Sequence, residues 1–147
     1  MSSQRNSAIP SSCICLRMRK AARRVSQIYD QELEPYGLTI TQYGLLGHLK
    51  LYDGIGVSAL ADKLVMDPTT LTRNLRPLER QGFVTLTQDP KDRRNRNLSL
   101  TAAGREKLAA AKPGWEAAQG KIAGVLGKED GAAMAITIDR MIEELRG

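Results

Sequence analysis

Guanidinium side chains occur in two neighbouring stretches of this chain, Asp67–Gly82, where threonine hydroxyl groups accompany them, and Asp89–Asn97. Guanidinium groups donate paired hydrogen bonds to guanine O6 and N7, and small hydroxyl groups allow close approach to a phosphate or a base edge. Both residue types therefore suit the recognition of a polyanion, and of DNA in particular. In the first stretch, the residues predicted to contact DNA are Thr69, Thr70, Arg73 and Arg76.

The first stretch has the pattern of a capped amphipathic helix. Asp67 is suited to cap the first N–H groups, Pro68 suits the first helical position, and Gly82 suits a left-handed helix end. At about 100° per residue, its three leucines fall on the side opposite Arg73 and are predicted to face a core. Pro77 removes one internal hydrogen bond and predicts a bend in the last turns. An ordinary solvated helix would show the same pattern, so this stretch alone does not establish DNA binding.

The second stretch has the pattern of a β-hairpin tip. Residues 83–88 and 97–101 alternate apolar and polar positions, as short strands with one buried face do, and Asp89-Pro90 favours a turn between them. Like charges at a hairpin tip repel one another, which destabilises the hairpin unless a bound anion neutralises them. A narrow DNA minor groove has a negative potential that attracts an inserted arginine. The charges could instead only keep an edge hairpin soluble, but the order helix, helix, strand, loop, strand favours DNA binding. The cations of this tip are Lys91, Arg93, Arg94 and Arg96.

The charge of the chain supports a polyanionic partner and is unevenly distributed. The net charge is +6, and residues 1–29 contain six basic residues and no acidic one. From residue 101 onward basic and acidic residues balance at seven each, so that part is predicted to serve another purpose. No apolar run approaches the roughly 20 residues of a membrane span, and no signal-peptide pattern is present. We therefore expect a cytoplasmic protein without membrane association.

The pattern along the chain predicts a mainly α fold with a small β-hairpin. Residues 1–11 are polar and are predicted to form a flexible tail, and residues 12–36 are predicted to form a helix with an apolar stripe. Thr39 and Gln42 form a capping box that opens a second helix, and Ser58 is predicted to cap a short third one. A long helix is expected from Ala102, interrupted or kinked at Pro113-Gly114, followed by a last helix over about Glu129 to Arg146.

Two segments carry a resemblance to a known family. The segment Asp89-Pro-Lys-Asp-Arg-Arg94 leads into Leu98-Ser-Leu-Thr-Ala-Ala-Gly104, and Leu71–Gly82 precedes it. They resemble the wing and the recognition helix of the MarR family of bacterial winged-helix regulators, and the similarity runs along nearly the whole chain from about Cys15.

The resemblance implies a homodimeric transcriptional regulator, more often a repressor, bound to a pseudo-palindromic operator on double-stranded DNA. It implies that the recognition helices enter successive major grooves, that Arg94 reaches the minor groove and that Asp92 braces the wing. Residues 12–36 and 102–147 would then be dimerisation helices, and residues 37–101 a winged helix-turn-helix domain. DNA-binding roles are predicted for Arg93 and Arg96 as well.

A signal that releases the DNA is also implied. Many MarR relatives bind a small, often aromatic anion, and Tyr36, Tyr43 and His48 are candidates to line its pocket. Ordinary packing is the more common role for each of them, because a single histidine on a helix usually has a local partner.

Cys13 and Cys15, the chain's two cysteines, are candidates for sensing an oxidant. They open the first helix, where the helix N-terminus and nearby cations favour a reactive thiolate. Some MarR branches sense peroxides through a cysteine near this place, held by tyrosines, but one turn after Cys15 stands Arg19. Tyr29 lies about 21 Å further along the helix, so it could meet Cys15 only from a partner chain. The alternative is two small apolar residues in a reducing compartment.

Catalysis has little support in the sequence. There is no glycine-rich phosphate loop and no paired histidine motif, and a Cys-X-Cys with one distant histidine does not make a zinc site. We therefore expect neither enzymatic activity nor a cofactor or metal. Two alternatives stay open: a non-specific architectural DNA-binding protein, which would bind all sequences with steep salt dependence, and a thiol-redox enzyme that uses Cys13 and Cys15.

Overall fold

The computed structural model describes residues 12–147, so the predicted flexible tail, residues 1–11, lies outside the described residues. The described chain divides into two compact units. Residues 33–114 form one of them, which we call the winged unit, and residues 12–32 together with 115–147 form the other, which we call the helical unit. The elements are helix α1 (Ile14–Leu33), a 3-10 turn (Glu34–Tyr36), α2 (Ile40–Leu51), α3 (Val57–Lys63), α4 (Pro68–Arg80), strands β1 (Val84–Gln88) and β2 (Arg96–Leu100), α5 (Ala102–Leu126) and α6 (Lys128–Glu144).

These elements confirm the predicted mainly α fold with a β-hairpin, but the first helix is shorter than predicted. α1 ends at Leu33, and residues 34–36 form a 3-10 turn closed by the left-handed Gly37. Pro35 lacks the backbone N–H that would continue the α-helical hydrogen bonds, and the chain proceeds here as a 3-10 turn. The capping box of α2 is present: Gln42 N–H donates to Thr39 Oγ1, and Thr39 N–H donates to Gln42 Oε1.

The start of α3 differs from the prediction. The N-cap is Gly56 rather than Ser58, and no side chain caps this helix. The residues before this helix pair with β2: Gly54 N–H donates to Leu98 O and Leu98 N–H donates to Ile55 O, both at 2.8 Å. Gly56 forms a further bridge with Asn97. Residues 54–56 therefore lie beside β2 through an isolated β-bridge and two backbone hydrogen bonds, and the sheet itself has two strands.

The core of the winged unit is built from leucines on facing elements. β1 and β2 pair antiparallel from Val84 with Leu100 to Gln88 with Arg96, so that one face of the hairpin is buried against the helices. α2, α3 and α4 each bury leucines against that face. The largest fully buried side chains of the described residues are Leu33, Leu45, Leu46, Leu49, Leu60, Leu71, Leu75, Leu78, Val84 and Leu98.

The beginning of α5 lies directly against the backbone that precedes β1. Thr101 Oγ1 donates to Gly82 O at 2.6 Å and accepts from Gly104 N–H at 3.0 Å, which caps the helix. A Cβ at Gly104 would lie 2.2 Å from Phe83 O, so only glycine fits this position. Of the two outcomes predicted at Pro113-Gly114, an interruption is wrong, since α5 continues through Pro113 to Leu126. A proline costs one hydrogen bond and strain, which a 25-residue helix tolerates.

The helical unit leaves much apolar surface exposed. α6 begins and ends within two residues of the predicted bounds, and its exposed apolar residues include Met134, Ile138 and Ile142. Together with Leu126 at the end of α5, Met134 and Ile138 line a shallow concavity of about 390 Å³. Among the described residues, no helix is both long enough and apolar enough to cross a membrane.

Candidate nucleic-acid interface

Helix α4 has one buried side and one polar, exposed side. Asp67 Oδ2 accepts from Thr70 N–H at 3.3 Å, and Pro68 occupies the first turn. Leu71, Leu75 and Leu78 are at most 1% exposed and hold the helix in the core of the winged unit. The four residues predicted to contact DNA from this helix are all exposed: Thr69, Thr70, Arg73 and Arg76. The helix therefore presents hydroxyl and guanidinium donors to solvent from a rigidly packed support.

Helix α4 ends shortly before Gly82, the residue predicted to form its left-handed end. The helix continues through Pro77 to Arg80, and Gly82 adopts a left-handed conformation with φ 81°. Phe83 N–H then donates to Leu78 O at 2.9 Å, which ties the start of the hairpin to the last turn of the helix. The hairpin tip is thus attached to the same packed body as α4.

The loop between β1 and β2, residues 89–95, is closed by its own hydrogen bonds, and we call it the wing loop. Asp89 N–H donates to Asn95 O at 3.0 Å, and Asn95 N–H donates to Asp92 O at 3.0 Å. Asp89 Oδ1 accepts from Lys91 N–H at 2.9 Å. Gln88 Nε2 donates to Arg93 O at 3.0 Å. The loop is therefore an ordered turn rather than an open tether.

The cations of the hairpin tip point into solvent. Arg93, Arg94 and Arg96 are exposed, and the Arg94 side chain is 95% accessible. Asp92 Oδ1 accepts from the Arg94 N–H at 3.0 Å and lies 3.9 Å from Arg94 Nε. Such an exposed ion pair contributes little stability, but the backbone hydrogen bond fixes the conformation from which the Arg94 side chain extends.

A polar concavity of about 650 Å³ lies between the wing loop and the start of α3. It is lined by Gly56, Ser58, Ala59, Asp92, Arg94 and Asn95. Gly56 and Asn95 were not singled out by the sequence, because their contact joins residues far apart in the chain. The winged unit therefore carries two basic features, the exposed side of α4 and the wing loop, on one packed body.

Comparison with known proteins identifies this arrangement. The family model described as MarR family matches residues 38–95. A DNA complex of the M. tuberculosis transcriptional regulator MosR has 34% sequence identity and a TM-score of 0.79, and the similarity covers 92% of this chain and 99% of that chain. The chain belongs to the MarR family.

Two further MarR-like proteins support this assignment. The S. aureus MepR–DNA complex has 25% identity and a TM-score of 0.77, covering 90% of this chain and 98% of that one. The HTH-type transcriptional regulator SarZ of Staphylococcus aureus is 30% identical over 92 residues. That match spans 63% of this chain and 62% of the length of SarZ.

In this MarR-family chain, the turn between α3 and α4 contains a backbone outlier. Val65 has φ 54°, the one positive φ of a non-glycine residue among those described, and its side chain is 74% exposed. Met66 N–H donates to Ala61 O at 2.8 Å, closing the end of α3. A glycine or asparagine usually occupies this position, because a β-branched residue is strained there.

The residues predicted to line an effector pocket all lie in the winged unit. Tyr36 is in the 3-10 turn, Tyr43 and His48 are on α2, and all three are half-buried. The His48 Nδ1 atom lies 2.7 Å from Gly44 O, and the ring centroid is 6.4 Å from that of Tyr52. His48 therefore has the local partner that ordinary packing predicts.

The two cysteines lie at the start of α1. Cys13 is half-buried and its carbonyl accepts from Arg17 N–H at 3.2 Å, whereas Cys15 is exposed on the helix. Tyr29 Oη donates to Gln119 Oε1 on α5, and burial raises the pKa of Tyr29. Among the described residues, no group of three or more His, Cys, Asp or Glu side chains is placed to hold a metal ion.

Proposed function

We propose that this protein is a homodimeric, sequence-specific DNA-binding transcriptional regulator that acts as a repressor in the cytoplasm. The observation that carries the proposal is the combination of α4 and the wing loop on one packed body. α4 buries its leucines and exposes its hydroxyl and arginine residues, and the wing loop exposes Arg94 from a hydrogen-bonded turn. A helix for the major groove and a loop for the minor groove suit one duplex.

In this proposal, the two features have different tasks. Thr69, Thr70, Arg73 and Arg76 contact bases and phosphates in the major groove, and Arg73 reads a base edge. Arg93, Arg94 and Arg96 contact the backbone and the minor groove, with Asp92 bracing the loop. MosR and MepR were both solved as DNA complexes, which supports DNA as the partner.

The homodimer is supported by the helical unit. α1 exposes Ile14 and Leu16, and α6 exposes Met134, Ile138 and Ile142. Apolar faces of this extent on two helices require burial, and a second copy of the chain would provide it. Two copies would present two α4 helices to a pseudo-palindromic operator.

The test is a fluorescence-anisotropy titration of the reduced protein on the DNA upstream of its own gene. A scrambled duplex at the same salt concentration serves as the control. A preference of about a hundredfold or more lies within the range of specific regulators and would support the proposal. Equal and steeply salt-dependent binding to both duplexes would favour the architectural alternative.

We further propose that a small molecule or an oxidant releases the DNA, and the cysteines offer a specific test. A peroxide would oxidise the Cys13 and Cys15 thiols to a disulfide and would itself be reduced to water or an alcohol. Cys13 directly precedes α1 and Cys15 lies in its first turn, so a disulfide between them would distort the start of this helix. Loss of operator binding on peroxide treatment, reversed by dithiothreitol and absent in Cys13→Ser/Cys15→Ser, would support oxidant release.

The small-molecule alternative predicts a different result. An aromatic anion bound near Tyr36, Tyr43 and His48 would lower operator affinity in both the wild type and the double cysteine variant. Tyr43→Phe or His48→Gln would then lower the affinity for that ligand, without changing operator affinity when the ligand is absent. The local partner of His48 makes this the weaker of the two alternatives.

A further inference from the structure

The wing loop comes close to the backbone before α3 where Asn95 meets Gly56. A Cβ built on Gly56 would lie 2.9 Å from Asn95 Oδ1, 3.0 Å from Asn95 Nδ2 and 3.3 Å from Asn95 Cγ. Gly56 has φ −73° and ψ 155°, an extended conformation that any residue adopts. A side chain at this position would therefore displace the end of the Asn95 side chain, whereas the backbone conformation itself does not require glycine.

Asn95 is also the residue that closes the wing loop. Its carbonyl accepts from Asp89 N–H and its N–H donates to Asp92 O. Its Nδ2 lies 3.5 Å from Asp89 Oδ2, a weak contact in the same turn. Its backbone therefore closes the loop, while its side chain links Gly56 to Asp89 in the turn that contains Arg93 and Arg94. A displacement of that side chain would remove the Asp89 contact of the turn.

The other side of the contact belongs to the helix-turn-helix. Gly56 is the N-cap of α3, and it bridges Asn97 while Ile55 and Gly54 hydrogen-bond to Leu98. Residues 54–56 therefore connect α3 to the hairpin, and the Asn95 side chain lies against Gly56.

We propose that Gly56 and Asn95 form a positioning pair that fixes the direction of the wing arginine relative to α3 and α4. The inference rests on the proposed DNA contact of Arg94. Neither residue touches DNA in this proposal; both act through the conformation of the wing loop. The pair holds the wing loop in a fixed position relative to the helix-turn-helix. The loop that carries Arg94 therefore does not have to become ordered when Arg94 enters the minor groove.

Gly56→Ala is the direct test, because the added methyl group forces Asn95 to move without backbone strain. We expect operator affinity to fall roughly three- to tenfold, within the range of couplings between residues in contact. The slope of log affinity against log salt should become shallower as the Arg94 contact is weakened. Gly47→Ala is the matched control, since a Cβ there meets nothing within 4 Å, and it should bind as the wild type does.

Two further variants show whether the effect passes through Asn95 and Arg94. Asn95→Ala removes the atoms that collide, so Gly56→Ala/Asn95→Ala should bind no worse than Asn95→Ala alone. In an Arg94→Ala background, Gly56→Ala should change operator affinity by less than about twofold, because the residue it positions is absent. Melting temperatures of all variants separate this effect from loss of fold.

The outcomes distinguish this inference from the proposed function. If Arg94→Ala weakens operator binding and Gly56→Ala does not, Gly56 and Asn95 do not position Arg94, whereas the proposed contact of Arg94 with DNA is supported. The positioning role is also contradicted if Gly56→Ala lowers operator affinity by the same factor in the wild-type and Arg94→Ala backgrounds. If the Arg94→Ala variant binds the operator as tightly as the wild type does, Arg94 does not contact the operator. The proposal that Gly56 and Asn95 position Arg94 for that contact is then contradicted as well. Should Gly56→Ala not fold, Asn95→Ala alone must reproduce the shallower salt slope.

Discussion

The winged unit and the helical unit differ in how they bury apolar surface. Among the described residues, every buried leucine lies in the winged unit, whereas Ala118 is the fully buried residue of the helical unit. Conversely, the exposed isoleucines all belong to the helical unit, on α1 and α6. One unit completes a core within a single chain, and the other leaves its apolar faces open to solvent.

This difference indicates which properties should depend on a second copy of the chain. The packing of α4 and the shape of the wing loop are determined within the winged unit and should not change with protein concentration. The stability of α1 and α6 should depend on concentration, because exposed apolar faces gain free energy only when they are covered. The following predictions test this contrast, from the largest expected effect to the smallest.

Ile138→Glu should have the largest effect, because it places a carboxylate in the apolar concavity of the helical unit. The cost of burying an unpaired charge should prevent dimerisation, and loss of the second half-site should lower operator affinity about a hundredfold. Analytical ultracentrifugation and anisotropy measure the two quantities. Ile136→Glu is the matched control, since Ile136 is 69% exposed and about 200° away on α6. A dimeric Ile138→Glu would contradict the proposed interface.

Arg94→Ala should lower operator affinity at least about tenfold, or about 1.4 kcal/mol. The reason is loss of the minor-groove contact, while the wing loop stays closed by backbone hydrogen bonds that the substitution does not touch. The melting temperature and the dimer dissociation constant should therefore match those of the wild type. Unchanged affinity in anisotropy titrations would show that the wing loop does not contact the operator.

Arg73→Ala should reduce the discrimination between operator variants, by roughly 1–3 kcal/mol at one base pair. Affinity for a scrambled duplex should change less, because a base contact adds little to non-specific binding. Parallel titrations of several operator variants and a scrambled duplex measure both effects. An equal loss on all duplexes would mean that Arg73 contacts phosphate.

Val65→Asn should have the smallest effect and the opposite sign. Asparagine adopts the left-handed conformation of this turn at lower cost than valine, so the free energy of unfolding should rise by about 1 kcal/mol. Urea denaturation at two protein concentrations measures it, and the gain should be the same at both because the change lies in the winged unit. A destabilised variant would indicate that the exposed Val65 side chain makes a stabilising contact.

Local signals explain what could be predicted from the sequence. The Asp67 cap, the left-handed Gly82 and the Thr39 capping box each depend on residues within a few positions of one another. The hairpin strands were predicted to within one residue because their alternation is continuous. The roles of Arg73 and Arg94 came from residue chemistry and family resemblance, and they stay predictions until binding is measured.

What the sequence missed depends on contacts between distant residues. Residues 54–56 lie beside β2 through hydrogen bonds to Leu98, which is far away in the sequence. The choice of Gly56 over Ser58 as the cap of α3 follows from that pairing. Likewise, the passage of α5 through Pro113 reflects the length of the helix around it, which a proline-glycine signal does not report.

The closed wing loop also has a consequence for proteolysis. Trypsin cleaves after lysine and arginine, and this short loop and the strand beside it carry Lys91, Arg93, Arg94 and Arg96 on the surface. A protease needs an extended segment, so a hydrogen-bonded turn is cut at a rate that follows its opening equilibrium. The nicking rate of the native protein therefore measures how tightly the turn is held, without any DNA and before an operator is known.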